Sequence, residues 1–451
     1  MSGYAEYREV NLPWLKAVPA HWEIRRNKNI FTEQKEIVGE RSADYTLLSL
    51  TLNGIIPRDM DGGGKFPESF DKYKIVKNGD MAFCLFDIDE TPRTVGLSGY
   101  NGMLTGAYTI MRVSNINARF IYYYYLALDN GKMLRPLYTG LRKTININTF
   151  QSTKVPVPPR EEQDQIVRFL DWKVSSINKL INIKKKEIKA IDALKRSTVS
   201  HAITRGLTAD APTKYSGVKW LGDIPQRWYT VPLYAIAQVK SINNCIDLPL
   251  MSVYLDAGVV PFVEREEKRT NATSKDLTNY QRVDPGDFVL NNQQAWRGSV
   301  GVSFHSGIVS PAYIVLSLNN TLDSHYANYL FRSRCMVDQY LVISRGVGSI
   351  QRNLYWSALK RVVVPIPSKK EQMEIVEYLD GLNNKFDATI KKLTEEVAVL
   401  EEYKNKIIAD IVTGKIDVRG IEIPEYEFVD EDNDNVDENL EQGADEPPEE
   451  E

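Results

Sequence analysis

Four loops of this 451-residue chain concentrate side chains able to hydrogen-bond base edges or neutralise phosphates. Two follow a Gly-Asp strand entry, FDIDETPRT (Phe86 to Thr94) and NQQAWRGS (Asn292 to Ser299); two precede a long helical pattern, TGLRKTIN (Thr139 to Asn146) and SRGVGSIQRN (Ser344 to Asn353). Arg pairs bidentately with guanine and Gln with adenine in the major groove, while Lys and Arg also neutralise phosphates. Each residue taken singly reads as an ordinary solvated loop residue. As a set on equivalent loops, Arg93, Arg142, Lys143, Gln293, Gln294, Arg297, Arg345, Gln351 and Arg352 are the candidate DNA-binding residues. Covalent chemistry has no comparable signature. The chain holds no G-x-x-x-x-G-K-[ST] phosphate loop, no G-x-S-x-G elbow and no H-E-x-x-H. The Gly run Asp61 to Lys65 reads as a flexible loop without the strand–helix context of a nucleotide site. His21, His201, His305 and His325 lie at no metal-ligand spacing from one another or from a cysteine. Cys84, Cys245 and Cys335 are odd in number and far apart, which excludes a disulfide framework and a CxxC metal site and fits a reducing cytosol. No catalytic residue, metal site or cofactor is expected in this chain.

The elements that must position these loops come as a duplication. Trp14-Leu15, Pro19 and Trp22 recur as Trp220-Leu221, Pro225 and Trp228; Val76, Gly79-Asp80 recur as Val283, Gly286-Asp287; Gly96 and Ala107-Tyr108 recur as Gly301 and Ala312-Tyr313. These offsets wander between 205 and 207, but from Val155 to Thr204 the offset to the second copy is a constant 209. An element without insertions or deletions is one whose length matters.

That element reads as a helix. Pro158-Pro159 precede Glu161-Glu162, placing acid in the first turn, and Ser368 with Glu371 forms a capping-box pattern. Apolar residues then follow a heptad: Val167, Leu170, Val174, Ile177, Ile181, Ile188 and Ile191 in one copy; Val376, Leu379, Phe386, Ile390, Leu393, Val397, Leu400, Ile407 and Ile411 in the other. Lys184 and Asn383 interrupt the seams, and Gly206 and Gly414 mark the ends. Each helix would be roughly 65 Å long at 1.5 Å per residue. Two equal apolar stripes are most economically buried against each other, although separate packing on the globular parts stays open. Between the helices, β-rich runs bounded by turns, plus the short helical segments Phe120 to Leu128 and His325 to Phe331, predict mixed α/β (α+β) domains. Tyr122, Tyr125 and Leu126 lie at core spacing and are read as core rather than as base-stacking residues. The Gly-Asp pairs read as strand-entry turns.

Charge is segregated as well. Lys plus Arg number 56 and Asp plus Glu 60, yet fifteen of the acids lie in Ile421 to Glu451 with no Lys or Arg. Residues 1–420 therefore hold 56 basic against 45 acidic groups, a balance of +11 suited to a phosphate backbone. The acidic stretch, poor in apolar residues, is expected to be disordered, either as a solubilising tail or as a polyanion mimic competing for the basic body. No apolar run approaches the ~18 residues of a membrane span and no signal peptide is visible, so a cytoplasmic location without membrane contact is expected.

Taken together, Trp-Leu-x3-Pro-x2-Trp at both repeat starts, Gly-Asp before an apolar strand, Pro-x-Pro-x3-Glu-Gln-x2-Ile-Val-x2-Leu-Asp at both helix entries, and IVTGKIDVR (Ile411 to Arg419) make the sequence resemble the specificity (S) subunit of a type I restriction-modification system. The resemblance covers the chain to about Asp417. It implies two target recognition domains, each reading one half of a split duplex DNA site, and two conserved helices paired as an antiparallel coiled coil with pseudo-two-fold symmetry. It also implies docking of two methyltransferase (M) subunits, which would use S-adenosylmethionine, and of restriction (R) subunits, which would use ATP and Mg. The expected division is 1–155 first recognition domain (arm 1–20), 156–206 first helix, 207–364 second recognition domain (arm 207–226), 365–416 second helix and 417–451 acidic tail. Val167, Leu170, Ile177, Ile181, Ile188, Ile191, Leu379, Phe386, Ile390, Leu393, Val397 and Leu400 are the expected coiled-coil and docking residues. A stand-alone duplicated DNA-binding regulator and a coiled-coil scaffold with carbohydrate- or protein-binding domains are the competing readings.

Overall fold

A computed structural model describes residues 2–52, 54–58, 67, 69–140, 143–262, 276–347 and 351–431. Arg142, the Gly run at 61–65 and the acidic residues 432–451 lie outside the described residues. The chain forms two compact units, Met1–Lys186 with Leu393–Glu451, and Glu187–Lys392.

The first unit contains a four-stranded antiparallel sheet of β1 (Phe31–Gln34), β2 (Asp80–Phe83), β3 (Val95–Leu97) and β4 (Thr109–Val113), in the order β1-β4-β2-β3. Helix α1 (Ala118–Asn130) starts at Asn117, whose side chain accepts from the amides of Arg119 and Phe120. Tyr123, Tyr124 and Tyr125 on α1 are buried, with Tyr125 bonded to Asn27 and Tyr124 to Trp14, so the tyrosine-rich helix is core. The long helix α2 (Arg160–Arg205) opens in this unit.

The second unit repeats the pattern with β5 (Ala237–Val239), β6 (Asp287–Asn291), β7 (Val300–Val302) and β8 (Tyr313–Leu318), ordered β5-β8-β6-β7. Helices α3 (Ser324–Arg332) and α4 (Arg334–Ile343) follow, then the long helix α5 (Lys369–Val412), whose last part belongs to the first unit. In both units the Gly-Asp turn needs glycine, Gly79 at φ 87° and Gly286 at φ 93°. The following aspartates are buried and tie the turn. Asp80 accepts from the Lys77 amide and pairs with Arg112; Asp287 accepts from the Asp284 amide and pairs with Lys240.

The long helices run antiparallel within each unit. In the first, Asn178 meets Lys404 and Lys184 meets Glu396, while Val167, Leu170, Ile177 and Ile181 are buried with Ile407, Ile408, Ile411 and Val412. Val397 and Leu400 pack partly buried on that cluster. In the second, Lys195 pairs with Asp387 at 2.5 Å, and Ala202 and Ile203 share a core with Ile375 and Leu379. Ile188, Ile191, Phe386, Ile390 and Leu393 are half-buried.

The repeated Trp-Leu-x3-Pro-x2-Trp motif closes each unit. In the first, Gly414 at the end of α5 lies against Pro19 and Trp22, where a Cβ would come within 2.3 Å of the Pro19 ring. In the second, Gly206 at the end of α2 lies against Trp228 and Pro225. At the start of the opposing helix sits a buried glutamate. Glu162 accepts from Tyr4 (2.6 Å), Trp22 Nε1 (2.9 Å) and His21 (2.7 Å); Glu371 pairs with Arg227 instead, and its own amide donates to Ser368 Oγ. Half of the expected capping box therefore forms, and the glutamate carboxylate is spent on the domain junction.

Residues 417–431 differ from the expected disordered tail. They are bound along α2 of the first unit by side chains of Gln165, Ser175, Asn178, Asn182 and Lys185. Ser175, Asn178 and Asn182 look like a solvated helix face in sequence, but they are 2–6% exposed because this segment covers them.

Candidate nucleic-acid interface

In the second unit the two loops predicted from sequence converge. β6 leaves the sheet at Asn291 into a short 3-10 turn, Ala295–Arg297, ended by Gly298 at φ 109°. The second loop forms a hairpin in which Arg345 faces Asn353 and Gly346 faces Arg352. Two bonds join them: the Leu354 amide donates to the Asn292 carbonyl (3.1 Å) and to Asn292 Oδ1 (2.9 Å). At the junction stands Trp296, its Nε1 donating to the Gln293 carbonyl at 2.9 Å. The Arg297 guanidinium lies 4.7 Å from the indole centroid and that of Arg352 5.8 Å. A half-buried indole thus holds one arginine from each loop in a cation–π stack. Gln293, Arg297 and Arg345 are exposed, and Gln294 and Arg352 half-buried; for Gln351 only the strand position is described. These groups offer amide and guanidinium donors on one side of one domain, the chemistry of base-edge and phosphate contact.

The first unit uses the same tie, the Ile145 amide donating to the Leu85 carbonyl at 2.8 Å, but presents different chemistry. Lys143 pairs with Asp89 (3.4 Å) and Glu90 (3.6 Å), and Arg135 also reaches Asp89. Desolvation pushes the Asp89 carboxyl upward, but hydrogen bonds from Arg135 and Lys143 outweigh it and hold it below the usual range. Arg93 departs from its expected role. Its side chain is 13% exposed, its guanidinium bonds Asp129 (3.2 Å) and Asn130 (2.7 Å), and Asp129 also accepts from Thr94 and Lys132. Arg93 is a structural cation that fastens its loop to α1. Among the described residues the convergence of Gln and Arg is therefore a feature of the second unit.

Sequence reasoning passed over Trp296 as an organiser of the site. Its signal was present, an aromatic residue between Gln293-Gln294 and Arg297, but the second cation comes from a loop more than fifty residues later. Among the described residues there is no group of three or more His, Cys, Asp or Glu placed to hold a metal ion, and no helix long and apolar enough to cross a membrane.

Comparison with known proteins agrees with this duplicated architecture. The family model for the type I restriction modification DNA specificity domain matches twice, over residues 70–192 and 225–399. The chain is 24% identical over 441 residues to the type I restriction enzyme MjaVIII specificity subunit of Methanocaldococcus jannaschii, covering 92% of this chain and 98% of that protein. It is 25% identical over 428 residues to the putative MjaX specificity subunit of the same organism, covering 89% and 95%. A solved structure concerned with complex assembly and conformational transition of the type I R-M system superposes with a TM-score of 0.59 at 13% identity, covering 88% of this chain and 99% of that one. The stand-alone regulator and the scaffold are not favoured by these matches. With two matched domains and the fold of that system, the chain belongs to the type I restriction-modification DNA specificity family and is a non-catalytic, sequence-specific DNA-recognition subunit.

Proposed function

We propose that the subunit reads a two-part duplex site, one globular domain per half-site. The observation that carries this reading is the joining of two distant loops of the second domain around Trp296, which holds Arg297 and Arg352 beside Gln293 and Gln294. Arg345 and Gln351 would complete that reading face, and Lys143 and Arg142 would serve the first half-site. The helices would dock two methyltransferase subunits, with restriction subunits joining that core; the seams in α2 and α5 support a rigid scaffold for such docking. Methyl transfer from S-adenosylmethionine would belong to the methyltransferase, and ATP with Mg to the restriction subunit. The complex would work in the cytoplasm.

The test is the methylation pattern made by the assembled complex. Arg297→Ala with Arg352→Ala should relax base preference in one half of the methylated motif, each lost bidentate contact costing about 1–3 kcal/mol of discrimination. An unchanged motif in both halves would overturn the assignment of these arginines.

A further inference from the structure

The segment 425–431 lies in a site built from α2 and α5 within the first unit. Ser175 Oγ donates to the Glu427 carbonyl (3.1 Å) and accepts from the Val429 amide (2.8 Å). Asn178 Nδ2 donates to the Val429 carbonyl (3.2 Å), and Asn182 Nδ2 to that of Asp430 (2.8 Å). At the far end Glu431 takes Lys185 at 2.7 Å on one oxygen and Lys404 on the other. Lys404 also donates to Asn178 Oδ1 (3.2 Å), so the lysine pair and the amides form one connected donor set. Desolvation raises the Glu431 carboxyl, yet the two lysines outweigh it and hold it below its ordinary value. Phe428 covers the Arg119 guanidinium at 5.2 Å. Together the segment closes one wall of a cleft of about 600 Å³ whose lining includes Arg119, Tyr122, Asn178 and Lys404.

We propose that this flank of the helices is a second, sequence-independent binding site for a phosphodiester backbone, and that the chain's own acidic segment is its resident competitor. The donors suit an anionic chain: Asn178 and Asn182, one helical turn apart, offer neutral amides, and Lys185 and Lys404 offer charge. An acidic peptide occupies them in the free protein by meeting the same requirements, oxygen acceptors along its backbone and the side-chain carboxylate of Glu431. The proposal rests on the DNA-recognition reading, and competition makes the effect reciprocal: DNA bound here releases the segment, and removal of the segment raises affinity for DNA.

The experiment compares the full chain with a chain ending at Pro424, which keeps the packed Ile421 and Ile423, on a duplex lacking the recognised motif across a salt series. Loss of the segment should steepen the slope of log affinity against log salt by about two, one phosphate for each uncovered lysine. Deleting acid also raises affinity through bulk charge, so two further variants separate the causes. Ser175→Ala with Asn182→Ala keeps net charge and should move the full chain toward the shortened one. Lys185→Gln with Lys404→Gln should return the shortened chain to the full chain's slope. Limited proteolysis of the full chain should cut the 425–431 segment severalfold faster when that duplex is added. A gain that survives the lysine substitutions, or a shortened chain whose slope equals that of the full chain, overturns the proposal. If neither chain binds any duplex, the DNA-recognition reading itself fails.

Discussion

Replacing Glu162 by Ala tests how the duplicated motif holds the first unit together. The carboxylate accepts from Trp22 Nε1 and Tyr4 Oη, on side chains only 1% and 6% exposed, and from His21 at the edge. Without Glu162, two buried donors lose their acceptor at about 1–3 kcal/mol each. Relief of the glutamate's own desolvation offsets part of that, leaving a local loss of about 1–5 kcal/mol. Glu162→Gln keeps one oxygen for one donor and should cost about half as much. The matched change in the second unit, Glu371→Ala, should cost less. Trp228 Nε1 is already buried without a hydrogen-bond partner, and the Arg227 side chain lost from Glu371 is half exposed, a pair worth about 1 kcal/mol. A chain of two units does not unfold as one step, so the assay is native-state hydrogen exchange resolved by peptide. Protection should fall in residues 2–26 and 405–418 for Glu162→Ala, with 213–232 unchanged. A loss below about 0.5 kcal/mol, or an equal loss in 213–232, would refute the claim that this junction is local and that the buried donors set its strength.

Other perturbations address the loops and the bound segment. Asp129→Ala leaves Arg93 without its buried carboxylate and should destabilise the first unit by about 3–5 kcal/mol in native-state hydrogen exchange of its peptides; a stable variant with altered base preference would show instead that Arg93 is a reader. Trp296→Leu removes both cation–π contacts, about 0.5–1 kcal/mol each, and should cut discrimination at one half-site by about five- to thirtyfold; Trp296→Tyr should restore most of it. Glu431 has a depressed folded pKa, so its contribution is complete above the ordinary glutamate value of 4.5 and is lost as pH falls through the lower folded value. Exchange protection of 427–431 should therefore fall in acid, and protection unchanged after protonation would place the binding energy in the neutral Ser175, Asn178 and Asn182 contacts. Four residues inserted into both long helices add about 6 Å to each and should lengthen the unread spacer between the half-sites while leaving both half-sites unchanged; an unchanged spacer would show that helix length does not set it.

Much of the architecture is legible because it is repeated. Gly79-Asp80 and Gly286-Asp287 announce the same turn, whose glycine φ values agree within a few degrees, and the constant 209 offset announces the helices. Heptad positions such as Leu170 and Leu379 report burial because an apolar stripe must be covered. The loops are less legible. Arg93 and Arg297 look alike in sequence, and what separates them is Asp129, a buried acid thirty-six residues beyond Arg93. The stretch from Ile421 onward is poor in apolar residues and reads as disordered, yet polar side chains on α2 bind its backbone. A periodicity argument counts Ser175, Asn178 and Asn182 as solvated and cannot see the peptide that covers them.

The central claim is that each globular domain reads its own half of the site. Its most direct test is to replace residues 227–364 by the matching stretch of another family member and sequence the methylated motif of the assembled complex. One half of the motif should change and the other half be retained. Change in both halves, or in neither, would contradict the claim.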